Sequence, residues 1–134
     1  MKPYIKHHLG AFFRNREGNG SVEFVILLPA FILLLSLVTD VALIFHGQAR
    51  TLRILQDANR GFSIGWLTTE AETTDYIQAA LANISPGAIV TTSVDAGVIK
   101  SSATIPASDL DALGFLTALA DASFTVRSEH VVEY

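Results

Sequence analysis

The stretch that decides the architecture is "EGNGSVEFVILLPAFILLLSLVTDVALIF", residues 17–45. From Phe24 to Phe45 its one ionisable side chain is Asp40. At ~1.5 Å per residue a helix over this run is about 33 Å long. A hydrocarbon core of ~30 Å needs about 20 residues, so the run suits one crossing. No second run of this kind occurs in the 134 residues. Glu23 stands at the mouth of the run, where a carboxylate is costly.

Charge is divided unevenly around this segment. Before it, Lys2, Lys6, Arg14 and Arg16 face Glu17 alone. Residues 46–134 hold five basic and ten acidic side chains, a net −5. The positive-inside rule keeps the N-terminus cytoplasmic and exports the rest. An acidic exported part argues against nucleic acid as a partner. There is no cysteine, so disulfides, thiol nucleophiles and cysteine metal sites are excluded. The apolar run exceeds the ~7–15 residues of a secretory signal, and "HGQARTL" after it offers a poor cut site.

Working outward, residues 1–20 form a basic leader. It could lie at the interface through Ile5, Leu9, Phe12 and Phe13. Gly18-Asn19-Gly20 reads as a helix break, and Ser21 as the N-cap of the apolar helix. Pro29 is tolerated in a membrane helix, often with a kink. The helix is expected to continue through "HGQARTLRILQDANRGF". Ala49, Leu52, Leu55, Ala58 and Phe62 then share one side, with Arg50, Arg53, Asp57 and Arg60 opposite. Arg53 and Asp57 are spaced to pair. Gly61 or Gly65 ends the helix.

Beyond it the sequence predicts a small α+β unit. "TTEAETTDYIQAALANI" is a helix capped by Thr68 or Thr69, with Glu70 and Glu72 in its first turn. "SPGA" at 85–88 is a turn. "AIVTTSVDAGVIKSSATIP" alternates and gives two strands about Asp95-Ala96-Gly97. "ASDLDALGFLTALA" predicts a short helix capped by Ser108 or Asp109. "SFTVRSEHVVEY" is a last strand, with Phe124, Val126, Ser128 and His130 on one face. Phe62, Trp66 and Leu67 read as core beneath the long helix, or alternatively as an exposed docking patch.

Four explanations of Glu23 compete. It complements the helix dipole alone, pairs with a charge on another subunit, marks a processing site, or belongs to an ion relay. A relay needs several embedded polar groups, and only Asp40 is available, about 25 Å away along the helix. Asp40 itself reads as a cap at the membrane boundary or a contact to a partner helix.

The order of basic leader, glycine, four residues, glutamate and apolar helix resembles the prepilin and pseudopilin processing site. In that family a membrane-embedded peptidase cuts after the glycine, and glutamate is the fifth mature residue. A cut after Gly18 frees Asn19 and makes Glu23 fifth. A cut after Gly20 makes it third, so Gly18 is preferred. "GNGSVEFVILLPAFILLL" more specifically resembles TadE/TadF-like minor pseudopilins of the tight-adherence (Flp) pilus, through the S-V-E-F core, Pro29 and the leucine-rich run. The resemblance covers residues 14–60; the final "SFTVRSEH" is loosely similar to the strand closing such domains.

The resemblance implies processing at Gly18 and Asn19, and assembly contacts through Glu23, Phe24, Pro29 and Asp40. Its implied partners are the prepilin peptidase, other pilins and pseudopilins, the inner-membrane pilus platform and the lipid bilayer. It implies no cofactor and no catalysis by this chain. Among the residues themselves, no serine has a G-x-S-x-G context, and His46 and His130 lack metal-ligand spacing. The expected organisation is a leader at 1–18, a transmembrane helix at 19–45 and a periplasmic α+β domain at 46–134. The alternative is an unprocessed single-pass protein with a periplasmic binding or sensing domain.

Overall fold

A computed structural model describes residues 17–115, 118 and 121–133 of the chain. The leader helix expected through Ile5 to Phe13 lies outside the described residues. The element order is helix α1 (Glu17–Ser63), helix α2 (Glu70–Leu81), strands β1 (Ile89–Asp95) and β2 (Val98–Pro106), a 3-10 turn (Ala107–Asp109) and strand β3 (Ser123–Val131). The strands form one antiparallel sheet in the order β1-β2-β3. The class is therefore α+β, as the sequence predicts. The chain divides into two units, Met1–Ser36 and Leu37–Tyr134.

The first unit contains the start of α1. The apolar side chains from Val22 through Leu35 are exposed. Among the described residues, one helix is long and apolar enough to cross a membrane. Its start departs from expectation: Gly18-Asn19-Gly20 is helical, and Ser21 lies inside α1 rather than capping it. An existing helix adds one backbone bond per residue, which offsets the ~1 kcal/mol that each glycine costs.

The second unit begins at Leu37 and holds the folded core. Leu55 and Ala58 of α1 pack with Leu67, with Ile77 and Leu81 of α2, and with Val90, Ala103 and Ile105 of the sheet. The covered face of α1 is rotated from the expected one. Asp40, Gly47, Thr51, Leu55, Ala58, Asn59 and Ser63 are buried, whereas Ala49 and Leu52 are exposed. Five of these seven residues are polar or glycine, so a count of apolar residues places the stripe wrongly. Arg53 and Asp57 are exposed, and among the described residues no ion pair joins them. Such surface pairs are worth only ~0–1 kcal/mol against the entropy of ordering two long side chains.

The polar members of the stripe tie α1 to the sheet. The Asn59 side chain donates from Nδ2 to the Ser128 carbonyl at 3.0 Å and accepts from Ser101 Oγ at 2.5 Å. Ser63 Oγ donates to the Val131 carbonyl at 3.3 Å and accepts from the Glu133 N–H at 3.1 Å. Asn59 thus spans β2 and β3 from a fully buried position. Asn59→Ala strips a partner from the buried Ser101 hydroxyl and from the half-buried Ser128 carbonyl, so it is expected to cost about 2–3 kcal/mol. Urea unfolding of the full chain in detergent measures this; a loss under ~1 kcal/mol would mean that water replaces the amide.

Local signals set the ends of the elements. Gly65 takes φ 78° after α1. Its N–H donates to the Phe62 carbonyl, and the Trp66 N–H to the Gly61 carbonyl, the Schellman pattern. Trp66 is not core: it is 59% exposed, packed over Gly61 and edge-on to Tyr76 at 5.2 Å. Leu67 is the buried member of that trio, with Phe62 half-buried. Ala96 and Gly97 both have positive φ, 49° and 78°, which defines the two-residue turn between β1 and β2.

Thr69 caps α2 by accepting from the Glu72 N–H at 3.1 Å. The Glu72 carboxylate in turn accepts from the Thr68 N–H at 2.9 Å and the Thr68 hydroxyl at 3.0 Å. These bonds, led by the Thr68 backbone donor, hold its pKa below the usual glutamate value. A lowered folded pKa gives stability that is present above the unfolded value, about 4.3, and is lost as pH falls through the folded value. Glu72→Gln should therefore flatten this part of the acid limb of the stability curve; an unchanged limb in a pH series of melts would contradict the assignment.

The helix expected from Ser108 does not form there. The chain makes one 3-10 turn, Ala107–Asp109, without a side-chain cap. Asp109 instead accepts from Ser85 Oγ at 2.5 Å and from the Gly87 N–H at 3.1 Å. With that carboxylate committed to the 85–87 turn, helix resumes only after Gly114, which has φ 72°.

Candidate functional site

The residues singled out by the resemblance lie on the first turns of α1. Gly18, Asn19, Gly20, Ser21, Val22 and Glu23 are consecutive helical positions. Glu23 is exposed, as is Phe24 beside it. Val22, Glu23, Ile26 and Leu27 lie one turn apart on one side and line a shallow hollow. The carboxylate is thus set against apolar surface, a setting in which a charge gains most from an opposite partner. Pro29 lies within the helix and lacks the N–H that would bond the Val25 carbonyl.

A peptidase that cuts between Gly18 and Asn19 must take the backbone out of the helix. Two glycines in three residues lower the cost of that unwinding, each by ~1 kcal/mol relative to alanine. A Cβ at Gly20 would meet nothing within 4 Å.

Asp40 belongs to a different setting. It is fully buried in the Leu37–Tyr134 unit. Its Oδ1 accepts from the Ala112 N–H at 3.3 Å and the Leu113 N–H at 3.0 Å, and its Oδ2 from the Phe115 N–H at 2.9 Å. Two turns further along, Gly47 lets the segment approach: a Cβ there would collide with the Leu110 side chain. The carboxylate is therefore turned toward its own chain. The structure does not bring Glu23 and Asp40 together, since they are 17 residues apart on one helix.

Sequence reasoning missed the partners of Asp40, and also Gly47, Asn59 and Ser63. The available signal was the 3.6-residue spacing of Asp40, Ile44, Gly47, Thr51, Leu55, Ala58 and Phe62, which stands out only when polar residues are allowed on the packed face.

Together these features define an α+β protein, with a candidate membrane span near the N-terminus and a small antiparallel sheet packed on the far part of the same helix. Residues 18–60 match the family model described as TadE-like protein. The match covers most of α1 and none of the sheet. No curated protein and no solved structure matches the chain.

Proposed function

We propose that this chain is a pseudopilin-like minor component that supports the assembly or initiation of a tight-adherence pilus. The leader, residues 1–18, remains cytoplasmic, and a prepilin peptidase removes it after Gly18. The helix anchors the chain in the bacterial inner membrane, and the α+β unit faces the periplasm. The chain is the substrate of an enzyme and not itself an enzyme.

The observation that carries this reading is the spacing of Gly18 and Glu23 at the head of a single apolar helix, inside the segment with the TadE-like match. Cleavage converts Asn19 into a charged amino terminus near neutral pH. In a bundle of such helices the Glu23 carboxylate of one subunit meets that amine on its neighbour. An unpaired charge in a poorly solvated setting is costly, so the pairing selects one register between helices. Phe24 and Pro29 shape the apolar contacts around the pair. The partners are other pilins and pseudopilins, with the inner-membrane platform supplying the assembly site.

The test is the mass and N-terminal sequence of the protein from cells with and without the peptidase. An Asn19 terminus is expected only where the peptidase is present. A Met1 terminus in both would overturn the proposal in favour of an unprocessed single-pass protein with a binding or sensing domain. Glu23→Ala should be processed and yet lose co-purification with the other pilus subunits; undiminished co-purification would remove the pairing role.

A further inference from the structure

Segment 107–122 leaves the sheet and returns to it. Its neck is closed by the Ala107 N–H, which donates to the Ala122 carbonyl at 2.8 Å. From Leu110 to Phe115 the chain travels along α1 toward the N-terminal end of that helix. Leu110 lies against Gly47, and the N–H groups of Ala112, Leu113 and Phe115 bind Asp40. Gly47 to Asp40 is seven positions, a descent of about 10 Å at ~1.5 Å per residue. Gly114, at φ 72°, then turns the chain, and the Ala118 N–H donates to the Gly114 carbonyl at 3.0 Å.

The composition of this excursion is graded. Its neck carries Asp109 and Asp111 on one side and Asp121 on the other. Residues 113–120, "LGFLTALA", have no ionisable side chain. Leu113 is 55% exposed. Near the same level of α1, Val38 and Phe45 are exposed by 57% and 65%. The apolar run ends at Phe45, so Asp40 lies within its last two turns, near one edge of a hydrocarbon core that needs about 20 residues of helix. The tip bound to Asp40 therefore lies near the C-terminal end of the apolar run.

We propose that the loop tip at Leu113–Phe115 is a lipid-binding element that inserts into the interfacial zone of the bilayer that α1 crosses. Asp40 is the positioning residue: its three backbone bonds hold the tip at this depth while satisfying a carboxylate that would otherwise stand bare at the hydrocarbon edge. The exposed Leu113 side chain beside half-buried Phe115 suits shallow burial, about 5–10 Å into the headgroup and acyl boundary. The inference rests on the membrane-anchor part of the proposed function but not on processing or pilus assembly.

The experiment uses the full chain in phosphatidylcholine vesicles, with lipids brominated near either end of the acyl chain. Trp66 is the one native tryptophan and lies beyond the C-terminal end of α1, so the unmodified chain is the reference. Leu113→Trp is introduced together with Trp66→Phe. Its emission is expected to be blue-shifted and quenched by the shallow bromines, while that of Trp66 in the unmodified chain is not. Water-like, unquenched emission from Leu113→Trp overturns the inference, as does blue-shifted but unquenched emission, which would mean that protein covers the tip. If Leu113→Trp does not fold by circular dichroism, Ala118→Trp, at an exposed position on the same excursion, gives the same readout. Phe31→Trp reports on the span: quenched Phe31→Trp with a silent tip overturns the loop alone, and silence in both overturns the anchor as well.

Discussion

Asp40→Ala is expected to lower the unfolding free energy of the Leu37–Tyr134 unit by about 3–4 kcal/mol, the largest loss from any single substitution considered for this chain. Hydrogen bonds to a charged group are worth ~1.5–3 kcal/mol each, and Asp40 accepts three from the backbone. The full sum is not reached, because Ala112 and Leu113 are exposed and water can reach their freed N–H groups. A loss of this size is a large share of the ~5–15 kcal/mol that holds a typical domain together. Asp40→Asn should fall between the two, since it keeps one oxygen acceptor but turns an amine toward the remaining donors. Denaturant unfolding of the purified chains in detergent decides the matter. A shift under ~1 kcal/mol for Asp40→Ala would show that the 112–115 backbone is held by something else. The effect should also be local: amide exchange ought to quicken first at Ala112, Leu113 and Phe115, before the sheet is affected.

What could be read from the sequence was what depends on near neighbours. The β1–β2 turn at Ala96-Gly97, the cap at Thr69 and the stop at Gly65 each follow from a few consecutive residues, and the structure has all three. The alternation that put Phe124, Val126, Ser128 and His130 on one face of β3 also holds. What failed required knowledge of distant partners. The wheel gave α1 an apolar face through Ala49 and Leu52, but the packed face carries Asp40, Thr51, Asn59 and Ser63, whose partners lie some 70 residues away or in the preceding turn of the helix. A helix starting at Ser108 was reasonable by capping rules, but Asp109 is bound to Ser85 and Gly87 instead. The candidate site divides in the same way. Gly18 and Glu23 are linked by spacing along one helix and are visible in the sequence alone. The tie between Asp40 and the 112–115 backbone links both ends of the chain and has no one-dimensional signature.

Gly18→Arg is expected to leave the chain at full length, with processing reduced more than about a hundredfold. At 1.36 kcal/mol per tenfold change in rate, that asks for about 2.7 kcal/mol of lost transition-state binding. A long guanidinium side chain beside the scissile bond readily supplies it, because a peptidase acting there must approach the backbone closely, which glycine permits. The unprocessed chain then has no amine at Asn19, so Glu23 should lose its subunit partner even though it is intact. Gly20 separates this explanation from a general effect on the helix. A Cβ at Gly20 meets nothing within 4 Å, so Gly20→Ala is sterically free. It stabilises the helical state by up to ~1 kcal/mol and so makes unwinding harder. Processing of Gly20→Ala should therefore slow by at most about fivefold while still yielding an Asn19 terminus. Immunoblots of the two variants, with mass measurement of the products, distinguish the outcomes. Normal processing of Gly18→Arg, joined to a block by Gly20→Arg, would move the cut to Gly20 and place Glu23 third in the mature chain. The amine would then start two residues closer to the carboxylate, about 3 Å along the helix axis at ~1.5 Å per residue, and the register between neighbouring helices would have to change with it.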